Sequence, residues 1–163
     1  MMAVCGTNEE GKHMLPIGFG SVLLEAPEGL AAKFELAKEQ GGQFIEFYYQ
    51  EMDRAGYGDS DLREICRLSA AYNMPVTYHL PWSAPEDDLG QYDVPEGRNR
   101  LCAMMERGFA IGAKYMVLHL GAYPDGERRL PVLIRVRKII EGVLPRMAEE
   151  NAILCLENNT SLY

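Results

Sequence analysis

Residues 115–123 read YMVLHLGAY, a short apolar run that closes on His119 and breaks at Gly121. A run of this length, bounded by a glycine, fits a buried strand. The pattern recurs twice: PVTYHLPW at 75–82 ends its apolar run on His79, and AILCLENN at 152–159 ends on Glu157. Three such endings suggest one site assembled from successive strands.

Working outward from these runs, strand-like and helix-like segments alternate from about residue 15 to the last residue, with no low-complexity linker between them. Strands are predicted at 15–20, 43–48, 75–79, 115–119 and 153–157. Four helices are predicted between them. The first, 28–39, carries Leu30, Phe34 and Ala37 on one stripe and stops at Gly41-Gly42. The second, 60–72, turns Leu62, Ile65, Leu68 and Tyr72 inward, with Ser60 or Asp61 as N-cap. The third starts near Pro95 and carries Leu101, Met105, Phe109 and Ala110. The fourth spans 131–150 and contains Pro145, which should kink or split it.

A β-α-β-α-β order with connections of this length requires a parallel sheet, because parallel strands need crossover helices. The fold class is therefore α/β, built of parallel (β/α) repeats. Five strands complete an open doubly wound sheet but make only part of a TIM barrel. The chain stops six residues after Glu157, where a further helix should begin, and this favours a partial or truncated barrel. The predicted layout is an N-terminal tail at 1–14 and an incomplete (β/α) barrel domain at 15–163.

Composition narrows the function. The 163 residues are 47% hydrophobic and 25% charged, ordinary for one soluble domain. Neither a membrane span nor a signal peptide is evident, so a cytoplasmic protein is expected. A formal net charge of -8 disfavours nucleic acid as a partner, since phosphate binding relies on clustered Lys and Arg. Cys5, Cys66, Cys102 and Cys155 show no CxxC spacing and read as buried, reduced thiols.

Alternation along the strands places Val76 and Tyr78, Met116 and Leu118, and Leu154 and Leu156 on the face toward the helices. The opposite face receives Thr77 with His79, Val117 with His119, Cys155 with Glu157, and Glu46 with Phe44 and Tyr48. C-terminal strand ends carry the active site in parallel α/β folds, so His79, His119 and Glu157 should meet on one rim. Two imidazoles and a carboxylate suffice to hold a catalytic divalent ion with an open position. Singly, each could instead be a hydrogen-bonded rim residue. Glu46 could do acid/base work or pair with a rim arginine. Trp82 could stack on a ring-shaped substrate or pack at the mouth, and Asn158 and Asn159 could orient Glu157 or donate to substrate. His13 falls in the tail and is given no role. Arg128, Arg129, Arg135, Arg137 and Lys138 read as a solvated helix face.

The succession YHLPW, VLHLGAY and LCLENN resembles the xylose-isomerase-like TIM-barrel superfamily, which joins sugar phosphate isomerases and epimerases with endonuclease IV. There the third strand ends in His followed by Ala or Leu and Pro, the fourth in His-x-Gly, and the fifth in Leu-Glu-Asn. The resemblance runs from about residue 15 to the end and includes LREICRLSAAYNMPVTYH. It implies that His79, His119 and Glu157 ligate a divalent ion such as Zn or Mn, and that Glu157 also moves a proton beside a substrate carbonyl through an enediolate. The implied enzyme is a metal-dependent sugar or sugar-phosphate isomerase or epimerase. An abasic-site nuclease of the endonuclease IV type is the alternative, but QEMDRAGYGDSDL at 50–62 lacks that branch's Asn-Pro-Arg and Trp cluster. The superfamily draws further ligands from strands six to eight, which this sequence does not contain. A non-catalytic fragment, or a half-barrel that self-associates or pairs with a missing C-terminal half, is thus a further expectation.

Overall fold

In the computed structural model, residues 17–21, 29–81, 88–121 and 126–157 are described. The predicted tail, with His13 and Cys5, lies outside them, as do Trp82, Asn158 and Asn159.

Among these residues, alternation of short apolar runs with amphipathic segments produces five strands and five α-helices in the order β1 (Gly18–Gly20), α1 (Gly29–Glu39), β2 (Phe44–Tyr48), α2 (Tyr49–Arg54), α3 (Asp59–Tyr72), β3 (Val76–His79), α4 (Val94–Ala110), β4 (Tyr115–His119), α5 (Arg129–Glu149) and β5 (Ile153–Glu157). A 3-10 turn, Leu89–Gln91, precedes α4. All neighbouring strands are parallel, and the sheet order β1-β2-β3-β4-β5 follows the chain. That order is the arc of a barrel wall: each crossover returns the chain one strand along, in the same direction. The sheet is a partial TIM barrel.

The core lies between sheet and helices. Ile45 and Phe47 of β2, Val76 and Tyr78 of β3, and Met116 and Leu118 of β4 are buried there against Phe34, Ile65, Leu101, Met105, Val136 and Ile139 of the helices. Removing each large side chain from water stabilises by about 1.5–3 kcal/mol. Helix α4 comes unusually close to the sheet at Gly108, where an added Cβ would lie 2.5 Å from the Tyr78 ring and 2.7 Å from the Met116 methyl.

Several local expectations are corrected. Sequence reading missed α2, a six-residue helix too short to show a periodic stripe. The cap of α3 is Gly58, whose N–H donates to the Asp61 carboxylate at 2.9 Å. Helix α5 is one continuous element through Pro145. Pro145 is exposed, so water can serve the carbonyl that its missing N–H leaves unpaired. Ala110 is exposed rather than inward. Leu156 is 53% exposed, because among the described residues no helix covers the outer face of β5 beyond α5. Cys66 is exposed and Cys102 and Cys155 are half-buried, all three as free thiols.

Arg135 does not belong to a solvated face. It donates to the Gly90 carbonyl and pairs with Glu127 at 3.0 Å, joining the 3-10 turn to the segment that opens α5. Arg137 does remain at the surface, paired with Glu141 at 2.7 Å.

Candidate metal centre

The C-terminal ends of β3, β4 and β5 bring together His79, His119 and Glu157. One nitrogen of each ring and one carboxylate oxygen lie within 4.8 Å of one another. His119 Nε2 is 3.0 Å and His79 Nε2 is 3.5 Å from Glu157 Oε2. Both imidazoles are buried, at 6% and 8% exposure, while Glu157 is exposed. Strand register explains the convergence. His119 pairs directly with Glu157, and His79 pairs with Val117, so the two rings are offset along the sheet by two residues on one face.

The chemistry of these donors fits a cation. His79 Nδ1 lies 2.8 Å from the Leu80 carbonyl oxygen. A carbonyl can only accept, so Nδ1 carries the hydrogen and Nε2 is the nitrogen that faces the carboxylate. A proton or a metal ion can occupy the space between Nε2 and that carboxylate. Ligands that each sit about 2.0–2.2 Å from a tetrahedral zinc are about 3.3–3.6 Å apart, which the 3.5 Å from His79 matches and the 3.0 Å from His119 approaches. The backbone carbonyl behind His79 is also the type of partner that fixes a ligating imidazole.

Glu46 stands apart from this group. It is half-buried on β2, one strand away, in register with Thr77. Among the described residues no arginine pairs with Glu46, and its neighbour on that face is the Tyr48 phenol. Burial first, and then the nearby Glu46 carboxylate, push the Tyr48 phenol up to about 12. It therefore stays a neutral donor at any ordinary pH.

Tyr48 itself was legible only as a residue on the site face. Its ring stacks on His79, with centroids 5.2 Å apart and planes at 16°. Beyond β2, Lys33 of α1 donates to the Ser21 carbonyl at 2.6 Å and pairs with Glu51 at 2.9 Å, while the buried Ser21 hydroxyl donates to Glu51. This cluster ties the end of β1 to α1 and α2. Nothing in the local sequence pattern marks it, since its members are distant along the chain.

On the rim, Gly121 follows His119 by two residues with φ +82°, and an added Cβ would meet Asp88 at 2.6 Å. The glycine of VLHLGAY is required both by that backbone conformation and by the close approach of the segment returning from β3.

A parallel (β/α) half-barrel with histidines and a glutamate on its C-terminal rim defines a class of protein. The chain belongs to the xylose isomerase-like TIM barrel family, whose model matches residues 34–161. No curated protein matches it in sequence. Among solved structures it is similar to D-psicose 3-epimerase crystallised with D-fructose, with TM-score 0.71 and 15% identity over 91% of this chain and 54% of that one. It is similar also to D-psicose 3-epimerase from Clostridium cellulolyticum H10, at TM-score 0.70 and 14% identity over 91% and 55% of the two chains. D-allulose 3-epimerase from Methylomonas sp. gives TM-score 0.66 and 18% identity over 91% and 52%. These likenesses are of fold. The chain spans about half the length of each of these structures. Among the described residues no helix is long and apolar enough to cross a membrane.

Proposed function

We propose that residues 15–163 form the N-terminal part of a metal-dependent sugar or sugar-phosphate isomerase or epimerase domain. The observation that carries this reading is the convergence of His79 Nε2 and His119 Nε2 on Glu157 Oε2, at 3.5 and 3.0 Å. His79, His119 and Glu157 would hold the divalent ion. When bound, that ion would polarise a substrate carbonyl and stabilise negative charge as an adjacent C–H bond is broken.

Glu157, exposed on the rim, is the carboxylate placed to take that proton. Glu46 acts as a second proton-handling group from the neighbouring strand. Trp82 and Asn158 flank the site in sequence and are assigned substrate contacts. The further donors that such an enzyme needs would come from outside this chain, from a C-terminal half or from self-association. Sugar epimerases with similar folds support a ketose substrate.

The test is deuterium exchange. With Mn²⁺ or Co²⁺ in D₂O, the protein should introduce deuterium into D-fructose or D-allulose at the carbon beside the carbonyl, and Glu157→Gln should abolish it. A metal-loaded protein that has self-associated or been given its C-terminal half, and still exchanges no ketose proton, would overturn the epimerase reading.

A further inference from the structure

A row of close contacts crosses the C-terminal edge of the whole sheet, and its second member has no role in the reading above. Gly20 closes β1, Tyr48 closes β2, His79 closes β3, His119 closes β4 and Glu157 closes β5. Tyr48 and His79 are register partners. Their rings lie nearly parallel at 5.2 Å, and His79 in turn meets His119 edge-on at 4.9 Å. On its other side, Tyr48 lies against Gly20, where an added Cβ would be 2.9 Å from the phenol oxygen and 3.1 Å from the ring.

We infer that Tyr48 is a positioning residue that sets the ring plane of His79. An imidazole turns about two side-chain torsions, and the Leu80 carbonyl at 2.8 Å restrains it at one atom only. The flat face of Tyr48 adds a restraint to those from the His119 edge and Glu157, because a stacked ring opposes rotation of its neighbour about the Cβ–Cγ bond. Tyr48 is held in its turn from two directions. On one side stands Glu46, two residues earlier on the same face of β2. Gly20 leaves no side chain to push it off, and the Lys33–Glu51–Ser21 cluster anchors that end of β1. The consequence of the stack for metal affinity rests on the metal reading proposed above, whereas its effect on the ring does not.

The test uses the full chain labelled with ¹⁵N at histidine, first without metal, with His79→Ala to assign the signals. Long-range ¹H–¹⁵N spectra should show one sharp Nδ1–H pattern for His79 in the parent and in Tyr48→Phe, which keeps the stack. Tyr48→Leu should broaden or average that pattern. An unchanged His79 pattern in a natively folded Tyr48→Leu protein would overturn the inference. Should Tyr48→Leu fail to fold, Gly20→Ala displaces the same ring from the opposite side and must shift the His79 signals; unaltered signals again overturn it. Titration with Co²⁺ then reads the consequence: affinity in Tyr48→Leu should fall about tenfold, the low end of losses seen when the support of a metal ligand is removed, and Tyr48→Phe should match the parent. A parent that takes up no Co²⁺ would overturn the metal reading of the site, and the ring spectra decide the role of Tyr48 independently.

Discussion

The imidazoles of His79 and His119 meet edge to face, 4.9 Å between centroids at 62°, although they are not register partners in the sheet. The stagger between β3 and β4 and the curl of the sheet bring the end of one strand over its neighbour. The donor atoms of His79, His119 and Glu157 therefore lie within 4.8 Å of one another rather than in a flat row. Such convergence is what a single ion would need.

Metal should be stabilising, and the effect should depend on the carboxylate. Binding to the folded state alone adds about 2.7 kcal/mol when ligand is 100-fold above its Kd. Thermal unfolding with and without Zn²⁺ should show a rise in Tm for the parent. Glu157→Gln, His79→Ala and His119→Ala should lose the rise, and elemental analysis of the same proteins should show the metal gone.

Gly108→Ala should destabilise despite placing a better helix former in α4. The helix gains roughly 0.5–1 kcal/mol from alanine, but the new Cβ would sit 2.5 Å from the fully buried Tyr78 ring. Forcing atoms into a filled core costs about 1–3 kcal/mol, so the net change should be a loss. Urea denaturation measures it directly.

Arg135→Met should loosen the 3-10 turn. Gly90 is buried, and removing the guanidinium leaves its carbonyl without that donor, at a cost of about 1–3 kcal/mol. The Glu127 pair adds little, being partly exposed. Hydrogen exchange should accelerate at the amides of Gln91 and Tyr92, which close the turn.

Alkaline pH should weaken the fold through its tyrosines. Burial raises Tyr48 from 10.0 to about 12 and raises Tyr57 and Tyr78 as well. Above pH 10 the unfolded chain has released these protons while the folded chain still holds them. Stability is accordingly full below pH 10 and falls as pH rises toward 12. Phenolate absorbance should rise together with loss of far-UV circular dichroism, in one step for the buried tyrosines.

Much of the site was legible because strand alternation and chain order act locally. PVTYH, YMVLH and ILCLE each show where the apolar run ends, and parallel winding requires those ends to share a rim. Glu46 and Tyr48 were placed on the site face by the same alternation, which did not show that the Tyr48 ring lies flat on His79. Arg135 and Leu156 were misjudged for a related reason. Whether a residue is covered depends on elements distant in the chain, and no periodicity within α5 or β5 reports it.

The sequence by itself determined the strand order, every α-helix among the described residues except α2, the parallel sheet, and which side chains face away from the helices. These follow from hydrophobic period, turn residues and the geometry of crossover connections, all of which operate over a few tens of residues. Only the tertiary structure decided that the His79 and His119 nitrogens approach one oxygen of Glu157 and that Tyr48 lies flat on His79. It also placed Gly20 under the tyrosine and Asp88 against Gly121. These relations are set by the stagger and curl of neighbouring strands, which shift side-chain tips by several ångströms and leave no mark on the pattern of any single strand.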